Sequence, residues 1–149
     1  MKVTEDNNIK EPIGRIMSNI GRMFLANLHR QLAHLDIERS YFPLLVIEAG
    51  NGNLSQQELA SILSCDKVQV VRIIDYLSKN GYVAREQNSK DRRKCNLELT
   101  EKARRFLPDI KEALRQTTLV SLNALSEEKI NELYSMLKTI ENNLATNTN

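Results

Sequence analysis

Tyr82 to Thr100 reads YVAREQNSKDRRKCNLELT and follows a helix-like segment that stops at Asn80-Gly81. Its ends favour β structure, with apolar or aromatic residues at Tyr82, Val83, Leu97 and Leu99. Between them lies a polar tip, residues 87–94, reading QNSKDRRK. Arg85, Lys90, Arg92, Arg93 and Lys94 crowd into ten residues against Glu86 and Asp91. The stretch is expected to form two short strands joined by a basic tip. A basic hairpin placed after two short helices is a wing, and its natural partner is the backbone and minor groove of a nucleic acid.

Upstream, Ser55-Gln56-Gln57-Glu58 is a capping box, in which the hydroxyl and the carboxylate each satisfy an orphan amide. It opens a short helix through Leu59, Ala60, Ile62 and Leu63. Ser64-Cys65 makes the turn, and Asp66 caps the next helix with Gln69 three residues on. Val70, Ile73, Ile74 and Leu77 follow the i, i+3, i+4, i+7 spacing of an inward face. Two short helices across so tight a turn predict a helix-turn-helix. The outward face of its second helix then carries Lys67, Val68, Gln69, Val71, Arg72 and Asp75.

Further out, apolar residues from Ile9 to Leu35 recur in steps of three and four, predicting one long helix with Pro12 in its first turn. Ser40 is placed to cap a helix over Tyr41 to Ala49, which Gly50-Asn51-Gly52 breaks. Beyond the hairpin, Thr100 is placed to cap a helix with Ala103, Phe106, Leu107, Ile110 and Leu114 on one face, and Pro108 is expected to bend it. Ser126-Glu127-Glu128 opens a last helix with Ile130, Leu133, Tyr134, Leu137, Ile140 and Leu144 inward, and Ala145 to Asn149 reads as a polar tail. The fold class is therefore mainly α with a small β-wing. The DNA-binding lobe is expected over about 40–100, and helices over about 9–36 and 101–145 flank it.

Composition narrows the function. The 149 residues carry a net charge of only +2, but unevenly: Asp66 to Arg105 holds eleven Lys/Arg against six Asp/Glu, leaving the remainder at −3. A basic segment on a slightly acidic body implies a localised polyanion site. No apolar run is long enough to span a bilayer, so the expected location is the cytoplasm. Cys65 and Cys95 form neither a disulfide framework nor a metal ligand set. There is no glycine-rich phosphate loop and no nucleophile-base signature, so an enzyme is not expected, nor a cofactor.

These elements and residues resemble the MarR family, the multiple-antibiotic-resistance-type regulators. The match is carried by Leu59-Ala60, by Arg72 to Leu77 (RIIDYL), by Gly81-Tyr82-Val83, and by Asp91-Arg92-Arg93 followed by Leu97-Glu98-Leu99-Thr100. The resemblance implies a homodimer, interlocked through its N- and C-terminal helices, with two recognition helices in successive major grooves. The wide apolar faces of the first and last helices call for such a partner independently. A two-fold dimer favours a pseudo-palindromic operator. The resemblance also makes Arg93 the minor-groove arginine and Asp91 its salt-bridge partner.

On that reading, Gln69 pairs with adenine and Arg72 with guanine, while Lys90, Arg92 and Lys94 meet phosphates. Ser55 and Gln56, at a helix start, are candidates to hold another phosphate. Val68 and Val71 depart from the small hydroxylated residues usual in similar proteins. Either they contact thymine methyls or the inward face lies one residue away. Similar proteins often bind aromatic or anionic effectors between the dimer helices and the DNA-binding lobe. Here Phe24, His29, Arg30, His34, Tyr41 and Phe42 are the candidates, against a plainer reading of Phe24 and Phe42 as core and of the histidines as solvated or interface residues. Cys65, beside Lys67 at a helix start, is a candidate redox thiol, against the plainer reading of a small packing residue. Cys95 alternates with Leu97 and Leu99 and so is expected to face inward. The function implied is a transcriptional regulator, a repressor released by a small-molecule or redox signal. The alternative is a winged-helix adaptor that binds protein rather than DNA.

Overall fold

A computed structural model describes residues 11–37 and 40–146. The chain divides after Leu114 into two units. The first begins with α1 (Ile13–Gln31) and α2 (Tyr41–Gly50), then β1 (Leu54–Ser55), α3 (Gln56–Ile62) and α4 (Lys67–Lys79). The wing strands β2 (Val83–Gln87) and β3 (Cys95–Leu99) follow, and α5 (Glu101–Ser121) begins in this unit. The second unit holds the end of α5 and all of α6 (Glu127–Thr146). The architecture is mainly α with a small antiparallel sheet in the order β1-β3-β2.

The core of the first unit collects one face from each element. Leu28 of α1, Leu44 and Ile47 of α2, Leu59 of α3, and Val70, Ile74 and Leu77 of α4 are buried together. Tyr82, Val83, Leu97 and Leu99 of the wing base and Ala103, Leu107 and Ile110 of α5 complete it. Each fully buried Leu or Ile contributes about 1.5–3 kcal/mol relative to an exposed one, so this shared cluster outweighs any surface pair.

Local signals set the boundaries. At α3, Ser55 Oγ accepts the Glu58 amide while Glu58 Oε2 accepts the Ser55 amide at 2.8 Å, closing the capping box. These bonds, the Ser55 side-chain bond first, hold the Glu58 carboxyl below its ordinary range. At α4, Asp66 Oδ1 accepts the Gln69 amide at 2.7 Å. The turn after α2 needs left-handed backbone, with Asn51 at φ 46° and Gly52 at φ 75°. At Gly52 a Cβ would also meet Glu98 Oε1 at 2.6 Å, but that carboxylate is the end of a flexible side chain that can swing away, so it is the positive φ that calls for glycine.

The wing is stitched to its neighbours at Thr100. Its amide donates to the Tyr82 carbonyl at 3.1 Å, its hydroxyl donates to the Gly81 carbonyl at 2.6 Å, and that oxygen accepts the Ala103 amide at 3.2 Å. One residue thus closes the sheet, ties it to the end of α4 and caps α5. Lys102 reinforces the corner, its ammonium bonding the Asn80 carbonyl at 2.7 Å and lying 4.3 Å from the Tyr82 ring centroid.

Several expectations are corrected. The first helix begins at Ile13 with Pro12 at the cap position, and it ends at Gln31; Leu32, Leu35 and Ile37 reach the core from the turns that follow. Ile9 lies outside the described residues. Ser40 sits at the start of α2 but its side chain makes no capping bond. Strand β1 was not expected, because two residues show no alternation; it pairs Leu54 with Leu97 and Ser55 with Asn96. Cys95 shares a face with Leu97 and Leu99 but is exposed, since the core ends before the strand does. Phe42 is 46% exposed rather than core. Helix α5 runs unbroken through Pro108, and α6 extends through Ala145 and Thr146.

In the second unit α6 buries no residue fully, and Tyr134, Leu137 and Leu144, read as inward, are exposed. The helical spacing is present, but among the described residues these positions are not buried.

Replacing Thr100 by Val should remove the hydroxyl from both its bonds and lower stability by about 1–2 kcal/mol in urea unfolding. A change below about 0.5 kcal/mol would mean that the junction holds without it. Acid should erase the capping box. The Glu58 value is depressed on folding, so its contribution is present above the unfolded value and disappears as pH falls through the folded one. The stability difference between the wild type and Glu58→Gln should therefore narrow on acidification, read from urea midpoints at successive pH values. A constant difference would remove the carboxylate from the box's energetics.

Candidate nucleic-acid interface

With Val70, Ile74 and Leu77 buried, α4 turns Lys67, Val68, Gln69 and Arg72 to solvent, and Val71 is half-buried. Val68 is 61% exposed, which settles the register: the outward valine is outward. Among the described residues the side chains of Lys67 and Arg72 enter no ion pair. Asp75, on the same helix, is engaged. Its Oδ1 accepts from Arg85 Nη2 at 2.6 Å, tying α4 to strand β2. Both groups are partly exposed, so the pair is worth about 0–1 kcal/mol and its role is to orient.

Along the hairpin, Val83 pairs with Leu99, Arg85 with Leu97, and Gln87 with Cys95. These pairs share one face of the sheet, since opposite residues point the same way. That face passes from core at Val83-Leu99, through the Asp75-Arg85 link, to solvent at Gln87-Cys95. The basic tip therefore stands clear of the core on a base that is held.

Asparagine and aspartate order the tip. Asn88 Oδ1 accepts the amides of Lys90 at 2.8 Å and Asp91 at 3.1 Å, and the Asn88 amide donates to the Lys94 carbonyl at 2.9 Å. Asp91 Oδ1 accepts the Arg93 amide at 3.0 Å. Asp91 thus supports the wing through the Arg93 backbone rather than through the expected salt bridge, and the Arg93 guanidinium has no ion-pair partner among the described residues. Lys90, Arg92, Arg93 and Lys94 are all exposed. Asn96 joins the tip to the body: it accepts from Asn88 Nδ2 at 3.2 Å and donates to the Gly52 carbonyl at 2.8 Å. Asn88, Asn96 and the Asp75-Arg85 pair were not singled out from sequence. The Asn-Ser-x-Asp run was the available signal, because such side chains fold back onto nearby amides.

At the start of α3, the Ser55 hydroxyl is already spent on Glu58, donating to its carboxylate at 2.7 Å. Gln56 and Gln57 instead line a polar hollow of about 600 Å³, with Arg93, Lys94 and Asn96 on its other side. This hollow brings the helix start and the wing cations together.

The residues considered for a ligand have different neighbours. His29 borders a hollow with Leu32, Asp36 and Tyr76, and Phe42 borders an apolar one with Leu45, Val46, Leu54 and Ile62. His34 meets the Phe106 ring edge-on at 6.5 Å and lies 3.7 Å from Asp109. Tyr41 packs against the core, and burial raises its phenol pKa. Phe24 is half-buried and Arg30 exposed. Cys65 is half-buried against the core, with its amide bonded to the Ala60 carbonyl at 3.1 Å. No helix among the described residues is long and apolar enough to cross a membrane.

Comparison with known proteins agrees with this geometry. The model of the MarR family matches residues 37–95, from the end of the first core segment to the start of β3. A MarR transcriptional regulator from Methanosarcina mazei Go1 is 27% identical, with a TM-score of 0.79 over 92% of this chain and 99% of that one. An uncharacterised SlyA-like transcription regulator from Listeria monocytogenes is 27% identical, with a TM-score of 0.81 over 93% of this chain and 91% of that one. A protein described as a MarR family transcriptional regulator from the same organism, crystallised with a 26mer DNA, is also 27% identical, with a TM-score of 0.82 over the same shares. With its helix-turn-helix, its wing and the flanking helices in this order, the chain resembles MarR and SlyA-like transcriptional regulators over more than nine-tenths of its length, and its residues 37–95 match the MarR family model.

Proposed function

We propose that the chain is a dimeric, sequence-specific DNA-binding transcriptional regulator that represses by occupying a promoter. The observation that carries this is the row Lys67, Gln69 and Arg72 on α4 beside a wing bearing Arg92, Arg93 and Lys94, with the two elements joined by Asp75 and Arg85. Among the described residues no ion pair takes up the charges on Lys67, Arg72, Arg92 and Arg93. Gln69 and Arg72 suit adenine and guanine edges, and Val68 suits a thymine methyl. Arg93 enters the minor groove, while Lys90, Arg92, Lys94 and the start of α3 at Gln56 hold phosphates. The Listeria relative crystallised with DNA supports the reading.

The dimer is supported by uncovered apolar residues in each unit. On α1, Ile13, Ile20 and Met23 are each more than half exposed; in the second unit, so are Val120 and Leu144. A two-fold pair of lobes reads half-sites about one helical turn apart. Release by an effector or by oxidation at Cys65 completes the cycle, acting in the cytoplasm by shifting the separation of the lobes.

Fluorescence anisotropy with DNA from upstream of the chain's own gene, over a salt series, tests this. Affinity should fall steeply with salt, and Arg93→Ala should cost about 1–3 kcal/mol. Asn88→Ala removes no cation but releases the tip, and should weaken binding by less. Selective binding indifferent to Arg93→Ala would take that residue out of the groove. No binding at low salt, either to this DNA or to a randomised pool, would favour the adaptor reading.

A further inference from the structure

The sequence holds two Asn-Gly pairs, Asn51-Gly52 and Asn80-Gly81. We propose that Asn51 is a site of spontaneous deamidation to aspartate and isoaspartate, while the fold protects Asn80 from the same chemistry. The reaction begins when solvent base removes the proton from the glycine amide. The glycine nitrogen then attacks Cγ of the asparagine, forming a C–N bond, and Nδ2 leaves as ammonia. Water opens the resulting succinimide at either carbonyl, giving aspartate or isoaspartate. Two things are needed: a glycine N–H not held by an acceptor, and a carboxamide able to turn toward it.

The two sites differ in both. At Asn80, Nδ2 donates to the Tyr76 carbonyl at 2.9 Å, drawing the carboxamide back along the helix. The Gly81 amide donates to the Ser78 carbonyl at 3.0 Å, and Asn80 is partly buried. At Asn51 the side chain is exposed and makes no hydrogen bond among the described residues. The Gly52 amide likewise donates to no acceptor among them. The bonds at this turn hold other atoms: the Asn51 amide donates to the Glu48 carbonyl at 3.1 Å, and the Asn51 carbonyl accepts from Asn53 Nδ2 at 3.2 Å. Ring closure needs ψ of Asn51 to swing from its value of 50°, and Gly52 gives the turn freedom to do so.

The product would be felt at the wing. The Gly52 carbonyl is the acceptor for Asn96, and Glu98 lies against Gly52. Isoaspartate lengthens the backbone here by one atom and sets a new carboxylate near Glu98.

The test ages the folded full-length protein in mildly alkaline buffer, with a urea-unfolded sample beside it, and follows both Asn-Gly peptides by mass spectrometry and isoaspartate assay. In urea the two asparagines should convert at comparable rates, since glycine follows each. In the folded protein Asn51 should convert at least about fivefold faster than Asn80, a difference of roughly 1 kcal/mol in barrier. Equal rates in the folded protein, or an Asn51 slowed by folding as much as Asn80, would overturn the proposal. An Asn51→Gln sample should keep its isoaspartate signal at background; a signal that persists there would also count against it.

Discussion

The burial of Val70, Ile74 and Leu77 against Leu59 and Leu97 is the constraint on which the rest depends. A helix has one azimuth once three positions on one face are fixed, so this burial decides what every other residue of α4 does. It sends Lys67, Val68, Gln69 and Arg72 outward and leaves Asp75 where Arg85 can reach it. The same cluster takes in Tyr82 and Leu99, so the helix and the base of the wing share one core. No surface ion pair here approaches the energy of that burial.

Hydrogen bonds then refine what burial has placed. Thr100 joins the end of α4, the wing base and the start of α5 through its amide and hydroxyl. Asn96 ties the wing to the turn after α2, and Asn88 and Asp91 shape the tip. The cations at the tip are thus carried on an ordered loop. An ordered loop loses less freedom when it meets a partner.

Much of this was legible in the sequence because the signals were local. The capping box at Ser55 and Glu58, the Asp66 cap and the i, i+3, i+4, i+7 face of α4 depend on residues three or four apart. What was missed depends on distance. Strand β1 exists only because Leu97 lies beside Leu54, and the Asn96 bond spans 44 positions. Cys95 was assigned the correct face, but alternation cannot tell where along a strand the core ends. Phe42 reads as core and one face of α6 as inward because both are apolar, yet apolarity does not say which surface will cover them. Phe24, His29, Arg30, His34, Tyr41 and Phe42 are grouped by their chemistry and by their place at the first two helices, and the fold gives several of them different neighbours.

The outward row of α4 has a consequence for which substitutions the fold tolerates. Lys67, Val68, Gln69 and Arg72 contribute little to the core, so exchanging them opens no cavity and strands no buried polar group. Val71, half-buried, is the position where the two demands meet. These four sites can therefore be exchanged while stability stays nearly constant. On the proposed function, the surface that meets DNA can change while the core that holds it stays as it is.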